Sequence, residues 1–461
     1  MKMRPALLIF IFFPLSLFAQ NKQQHQLDSL MKVAHQRGIF NGNILVAKGN
    51  KIIYEQSFGL ADAEQKLPLS KEMLFDIGSI SKEFNGAAIM WLSEHGKLSL
   101  DDELIKYFPS FPLWAKSVKI RHLINYTSAI PILGPELDGN DSLILASLKN
   151  LKTLAAAPGT VYIYNHINVS LQRSIIEMVS GMNYSTFLQT HIFPAAGMKY
   201  ARVDYPVDGK GMARAFDEDG KTVPYAQQTK GWVRLPARDL YKWMIALDAG
   251  KVIPASALRE LGRNFPGGES SLGTTSFNDD TLVSHQHQGS NSNYEAAFYH
   301  DTKDDISIVM MTNNQQMKVW PLKTAILHIL QNEPFTIPKK SLYLSIRDKI
   351  LADFSKGMEY YHSLKSTGQQ SYDFSFEIGD LISTAKYLQR RGRFDDAISL
   401  LKAAVALDAK AQDRSYGYEL MGECYEKKGN TSLALESLQT AVSLYPENKN
   451  AAGMMLRLKN N

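Results

Sequence analysis

The sequence predicts an α+β domain followed by an all-α repeat domain, and three observations carry that expectation. Strand patterns lie at both ends of the first two-thirds of the chain, a helical middle separates them, and beyond Pro338 only helical patterns remain, one of them repeating. At 461 residues the chain is too long for one ordinary core, which agrees with two domains. Hydrophobic residues at 44% and charged residues at 21% match a soluble globular composition.

Lys2 and Arg4 precede a mostly apolar stretch, Ala6 to Phe18, and the polar run Gln20-Asn21-Lys22-Gln23-Gln24 follows at once. This layout predicts a secretory signal peptide over residues 1–20, with cleavage after Ala19 or Gln20. The expected destination is the bacterial periplasm or the medium. A retained anchor is the alternative, against which the shortness of the apolar stretch argues. No later segment is apolar for long enough to span a bilayer. The formal charge is +5, two of it from Lys2 and Arg4, with no long basic run, so nucleic acid is not an expected partner. Cys424 is the single cysteine, which excludes an intramolecular disulfide and reads as a small packed hydrophobe.

A helix is expected over Gln26 to Arg37, from the stripe Leu27, Leu30, Met31 and Val33. Asn43-Ile44-Leu45-Val46-Ala47 and Lys51-Ile52-Ile53-Tyr54 flank Lys48-Gly49-Asn50, a strand, tight turn and strand. From Ser79 to His95 the spacing of Ile80, Phe84, Ala87 and Trp91 predicts a helix, with Gly96 at its C-cap. Val169 to Met178 and Asp239 to Leu247 are the clearest helices of the middle. Strands return at Leu282 to Gln288, Glu295 to His300 and Ile306 to Thr312, with breaks expected at Gly289-Ser290-Asn291 and at Asp301 to Asp305. A helix over Val319 to Leu330 closes the unit. The expectation is one sheet built from both ends with a helical lobe inserted, over residues 21–335.

In the tail, Leu388-Gln389-Arg390-Arg391-Gly392 recurs as Tyr425-Glu426-Lys427-Lys428-Gly429, and Ala397, Ala404 and Leu407 recur as Ala434, Ala441 and Leu444. The offset of 37 residues between Gly392 and Gly429 is close to the period of about 34 in tetratricopeptide repeats. A helical linker over 336–375, containing a helix around Ile346 to Leu364, and a tetratricopeptide-like domain over 376–461 are therefore expected. An unrepeated pair of helical hairpins is the plainer alternative.

The chemistry-bearing pattern is Ser79-Ile80-Ser81-Lys82. Ser-x-x-Lys also occurs at Ser29/Lys32, Ser383/Lys386 and Ser399/Lys402, where nothing supports it. At Ser79 it opens an amphipathic helix, where unpaired backbone N–H groups favour developing negative charge. Lys82, three places on, shares the helical face of Ser79. A serine hydroxyl is a poor nucleophile until its proton is taken, and a solvated lysine, with a pKa of about 10.4, is rarely neutral. The site therefore needs a further proton carrier and a backbone oxyanion donor. His285 and His287 alternate on a strand and could share a face, but no third ligand follows, so no metal and no cofactor is expected. No Gly-x-Ser-x-Gly elbow, His-Glu-x-x-His or phosphate-binding glycine loop is present.

Residues 40–330 resemble the serine β-lactamase and penicillin-binding-protein family, especially its class C β-lactamase-like branch with esterases and D-amino-acid peptidases. The resemblance rests on Phe75-Asp76-Ile77-Gly78-Ser79-Ile80-Ser81-Lys82-Glu83-Phe84, Gly96-Lys97-Leu98-Ser99-Leu100-Asp101-Asp102 and Leu123-Ile124-Asn125-Tyr126-Thr127-Ser128. It continues with Pro158-Gly159-Thr160, Tyr164-Asn165-His166, Phe193-Pro194-Ala195-Ala196-Gly197-Met198 and His287-Gln288-Gly289. It implies an antiparallel sheet flanked by helices, with Ser79 as nucleophile, Lys82 as its base partner and Tyr164 as second proton carrier. It further implies that His287-Gln288-Gly289 lies on a strand beside the nucleophile, with the backbone N–H groups of Ser79 and Ser290 forming the oxyanion hole. Three departures stand out: His166 replaces the asparagine of Tyr-x-Asn, His287 replaces the usual lysine, and Tyr126-Thr127-Ser128-Ala129 stands for His-Thr-Ser-Gly. The first two weaken a pure β-lactamase reading.

The expected activity is acyl transfer to water through Ser79, on a small ester, a D-amino-acid peptide or a β-lactam-like substrate. The alternative is an inactive family member that binds a ligand or, through its repeat tail, a protein partner. Self-association through the tail is also open.

Overall fold

The computed structural model describes residues 15–133, 140–205, 209–217, 220–224 and 230–460. The expected leader lies mostly outside them, as do residues 134–139. The chain forms two compact units, residues 40–337 with the N-terminal stretch up to Gln36, and residues 338–461 with Arg37–Ile39.

Six strands build the main sheet of the first unit: β1 (Gly42–Lys48), β2 (Lys51–Phe58), β3 (Thr274–Asn278), β4 (Thr281–Asn291), β5 (Tyr294–Asp301) and β6 (Ile306–Thr312). Their order is β2-β1-β6-β5-β4-β3, antiparallel throughout, so the two ends of the unit meet where β1 pairs with β6. Every residue of β6 and nearly all of β1 are buried, which requires cover on both faces. Leu45, Ala47, Val309 and Met311 join the core of the helical lobe. Their alternating neighbours Ile44, Val46, Ile308 and Met310 are equally buried on the opposite face.

Five longer helices frame the sheet: α1 (Leu15–Gln36), α2 (Ser81–Glu94), α3 (His166–Ser180), α4 (Ala237–Asp248) and α5 (Val319–Leu330). α1 packs on β2 and on α5, while α4 packs on β1 and β6. The core that links sheet and lobe is rich in aromatic contacts, with Phe84 of α2 against Trp243 of α4 at 4.2 Å between ring centroids.

Two expectations about β-structure are corrected. Gly289-Ser290-Asn291, expected as a break, continues β4, and the turn falls at Ser292 and Asn293, both with positive φ (43° and 69°) as a two-residue hairpin turn requires. The segment Asn264 to Asp280, in which no strand is expected, contributes the edge strand β3, whose alternating exposed and half-buried residues are polar enough to hide its pattern.

The second unit is helical apart from a two-residue bridge, Lys340–Ser341 with Tyr372–Asp373. Its helices are α6 (Leu342–Ala352), α7 (Phe354–Thr367), α8 (Glu377–Gln389), α9 (Phe394–Val405), α10 (Ala411–Lys427), α11 (Thr431–Leu444) and α12 (Lys449–Asn460). The single helix expected around Ile346 to Leu364 is two, because Asp353 leaves the helical conformation and caps α7 through Lys356 N. Nor is 336–375 only a connection: Leu342, Ile346, Ile350, Tyr361 and Leu364 share one core with Leu381, Leu388, Leu400 and Leu420. Gly392 and Gly429 occupy matching turns between α8 and α9 and between α10 and α11, and Ala397, Ala404, Ala434 and Ala441 are all fully buried. Small side chains there let the paired helices approach closely. Cys424 is sealed in this unit, and burial pushes its thiol up to about 12. Among the described residues no helix is long and apolar enough to cross a membrane.

Candidate active site

The segment Phe75-Asp76 pairs with Val233–Leu235, and the chain then tightens into a single 3-10 turn, Gly78–Ile80, before α2 begins at Ser81. Ser79 therefore sits two residues ahead of the α-helix rather than within it. Gly78 has φ +53°, and a Cβ on it would stand 2.3 Å from Ser290 N. Across the gap a Cβ on Gly289 would lie 2.0 Å from Ile77 O and 2.5 Å from Ser79 N. The Gly78–Ile80 turn and β4 thus approach at a distance only two glycines permit. This brings the backbones of Ser79 and Ser290, the two expected oxyanion donors, side by side.

Lys82 Nζ donates to Ser79 Oγ at 2.7 Å, and the Tyr164 hydroxyl donates to the same oxygen at 3.0 Å. Ser79 is half-buried and Lys82 is 6% exposed, whereas Tyr164 is 37% exposed, so the group opens to solvent on the tyrosine side. The ammonium lies 4.9 Å from the ring centroid of Tyr164 and 5.3 Å from that of Trp232. Two aromatic faces flank it there. Trp232 had no signal in the sequence, since a lone tryptophan in a polar stretch carries no spacing.

Tyr164 is held from behind by the Tyr126 ring, 4.9 Å away between centroids. Asn165 caps α3 by accepting from Asn168 N, and its own amide donates to Ile130 O. Ser128 Oγ donates to Asn168 Oδ1 at 2.7 Å. The Tyr126-Thr127-Ser128-Ala129 segment thus braces the start of α3. His166 is the first residue of α3, half-buried, two positions past Tyr164.

His287 does not stand alone on its strand. Only 4% exposed, it places Nδ1 2.7 Å from Glu83 Oε1. His285, wholly buried, reaches the same oxygen through Nε2 at 3.1 Å, and Trp243 Nε1 donates to Oε2 at 2.7 Å. Burial drives the Glu83 carboxyl upward, but the two imidazoles outweigh it and leave it lowered to about 2. The alternating histidines do share a face, and a carboxylate from α2 occupies it. No set of side chains suited to a metal occurs among the described residues.

Asp76 was also missed. Its Oδ1 accepts from Gly78 N at 2.9 Å, and its Oδ2 accepts from Arg234 at 2.9 Å, Tyr205 at 2.7 Å and Asn291 at 2.8 Å. Asn291 belongs to β4, so this buried carboxylate ties the Gly78–Ile80 turn to the strand bearing Gly289.

A family model described as Beta-lactamase matches residues 22–330. Penicillin-binding protein 4* of Bacillus subtilis is 35% identical over 193 residues, which are 40% of this chain and 42% of that protein. The chain thus spans less than half the length of that relative. Among solved structures, a class C β-lactamase aligns over 69% of this chain and 98% of its own, with TM-score 0.58 and 18% identity. D-amino acid amidase from Ochrobactrum anthropi aligns over 68% and 99%, with TM-score 0.55 and 19% identity. Identities this low speak for the fold alone. The family match, by contrast, extends from within α1, past Ser79, Tyr164 and β4, to the end of α5, about two-thirds of the chain, and on that ground the chain belongs to the Beta-lactamase family.

Proposed function

We propose that the chain is an exported serine hydrolase that forms an acyl-enzyme on Ser79. The observation that carries this reading is the convergence of Lys82 Nζ and the Tyr164 hydroxyl on Ser79 Oγ, at 2.7 and 3.0 Å. Ser79 Oγ attacks an ester or amide carbonyl while its proton passes to the Lys82–Tyr164 pair, in whichever member is deprotonated. The tetrahedral oxyanion is received by the backbone N–H groups of Ser79 and Ser290, aimed at it by the glycine-tight approach of turn and strand. Collapse expels the alcohol or amine, which takes the proton back from the pair. Water then attacks the acyl carbon and frees Ser79, with the same pair moving its proton.

Small esters and D-amino-acid peptides are the substrate classes we favour over β-lactams, since His166 and His287 depart from the family pattern at Tyr-x-Asn and at the strand motif. Export is supported by the leader-like first twenty residues. The tail, read as tetratricopeptide-like, offers the surface for a protein partner or for self-association. A panel of nitrocefin, p-nitrophenyl esters and D-alanyl dipeptides, run with the full chain and with Ser79→Ala, tests the reading. Hydrolysis of an ester or D-peptide that vanishes in the variant supports it. A folded protein inert toward every member would favour the ligand-binding alternative.

A further inference from the structure

Glu83 takes no part in moving the Ser79 proton, yet it is buried directly after Lys82 in α2. A carboxylate stripped of water is kept in a core only where donors replace its hydration. Three do so here: Trp243 Nε1 on Oε2, and His285 Nε2 and His287 Nδ1 on Oε1.

An ionised carboxylate only accepts, so each ring nitrogen facing it must carry hydrogen. His285 Nε2 also faces Leu272 O at 3.0 Å, a second acceptor, while its Nδ1 is buried without a hydrogen-bond partner. That ring is therefore the Nε2–H tautomer. His287 is the opposite case, with Nδ1 committed to Glu83, and no other hydrogen bond engages its ring among the described residues. A Cβ on Gly273 would lie 2.6 Å from His287 Cγ, so the ring is backed closely by the chain behind it. His287 lies two residues before Gly289 on the same face of β4, about 7 Å along the strand from the oxyanion hole.

We propose that Glu83 is a positioning residue that fixes His287 as the Nδ1–H tautomer and so presents a single nitrogen, Nε2, to substrate on the strand side of the site. The proposal rests on the Ser79 reading for what the substrate is doing there. The logic is that of a buried carboxylate orienting an imidazole, where the hydrogen bond at one nitrogen decides the chemistry of the other.

Two measurements test it. In the full chain labelled with 15N-histidine, long-range 1H–15N correlations recorded up to alkaline pH should show the neutral His287 ring protonated at Nδ1 and His285 at Nε2, with assignments from His287→Gln and His285→Gln. Protonation of neutral His287 at Nε2 would overturn the proposal, and this spectrum needs no substitution at Glu83. In a double-mutant cycle, Glu83→Gln should lower kcat/KM by about tenfold or more, the scale on which supporting partners of this kind act. In the His287→Gln background the same change should cost less than about twofold, since coupled neighbours are not additive. An equal loss in both backgrounds would make Glu83 a general prop of the core and sink the idea. Failure of the Ser79 reading shows differently, as turnover that survives Ser79→Ala.

Discussion

The Tyr164 hydroxyl meets Ser79 Oγ at 3.0 Å although the two residues stand 85 positions apart. Tyr126 backs the tyrosine ring, and the capped start of α3 fixes the chain just beyond it. Tyr164→Phe keeps the ring, its packing on Tyr126 and its face toward Lys82. We expect kcat/KM to fall by about 10²–10⁴, the usual scale for a lost proton carrier, with an unchanged melting temperature. Steady-state kinetics beside a thermal melt checks this. Full activity would remove the phenol from the proton path.

Gly289→Ala forces a methyl into Ile77 O and Ser79 N. The turn and strand must separate, which should open the oxyanion hole and cost about 10²–10³ in kcat. Overpacking of this kind also costs about 1–3 kcal/mol of stability. A loss confined to KM would contradict the assignment of this contact to the transition state.

Arg234 and Asp76 form an ion pair at 2.9 Å with both side chains fully buried. Arg234→Met leaves the Asp76 carboxylate buried without its cation, and stability should drop by about 3–5 kcal/mol in a denaturant melt. Because Asp76 also holds Gly78 N and Asn291, activity should fall in the folded fraction too.

Glu295 on β5 is buried, accepts from Gln288 Nε2 and Met317 N, and burial raises its carboxyl to about 7. Its ordinary value is 4.5, so the folded state holds this proton more tightly than the unfolded chain. The stability it contributes is fully present below about 4.5 and is lost as pH rises through about 7. Wild type should therefore lose of the order of 3 kcal/mol across that window from this group. Glu295→Gln, which cannot ionise, should flatten that slope, as unfolding curves at several pH values would show. Parallel slopes in the two proteins would contradict the assignment.

A chain ended after Gln370 keeps α6 and α7 but loses the helices that cover Leu342, Ile346, Ile350 and Tyr361. It should aggregate, whereas a chain ended after Ile337 should stay in solution, as size-exclusion chromatography would show. Equal solubility would argue that α6 and α7 are stable without the repeats.

Much of this was legible in the sequence because it is local. Lys82 reaches Ser79 through the helical three-residue step, and β1 with β2 was announced by two short apolar runs around a glycine-containing turn. Tyr164 came through resemblance alone, since no spacing links it to Ser79. The residue pattern alone misread Gly289, because a glycine-serine-asparagine run looks like a turn, whereas the resemblance had put it on the strand; that glycine lets β4 touch the Gly78–Ile80 turn. Glu83 and Asp76 were invisible for a different reason. Their meaning lies in partners about 130 to 215 positions away, reached only once the sheet has brought β4 alongside α2. The paired histidines were noticed, but one strand could not reveal the carboxylate between them.

If Ser79 Oγ is an activated nucleophile open to solvent, a serine-directed probe should find it. The most direct measurement is peptide-mapped mass spectrometry of the full chain after exposure to a fluorophosphonate probe, with Ser79→Ala and Tyr164→Phe in parallel. A single adduct on the peptide carrying Ser79, slowed in Tyr164→Phe and absent in Ser79→Ala, is the predicted result. An unlabelled Ser79 in folded protein, or an adduct on another serine, would contradict it.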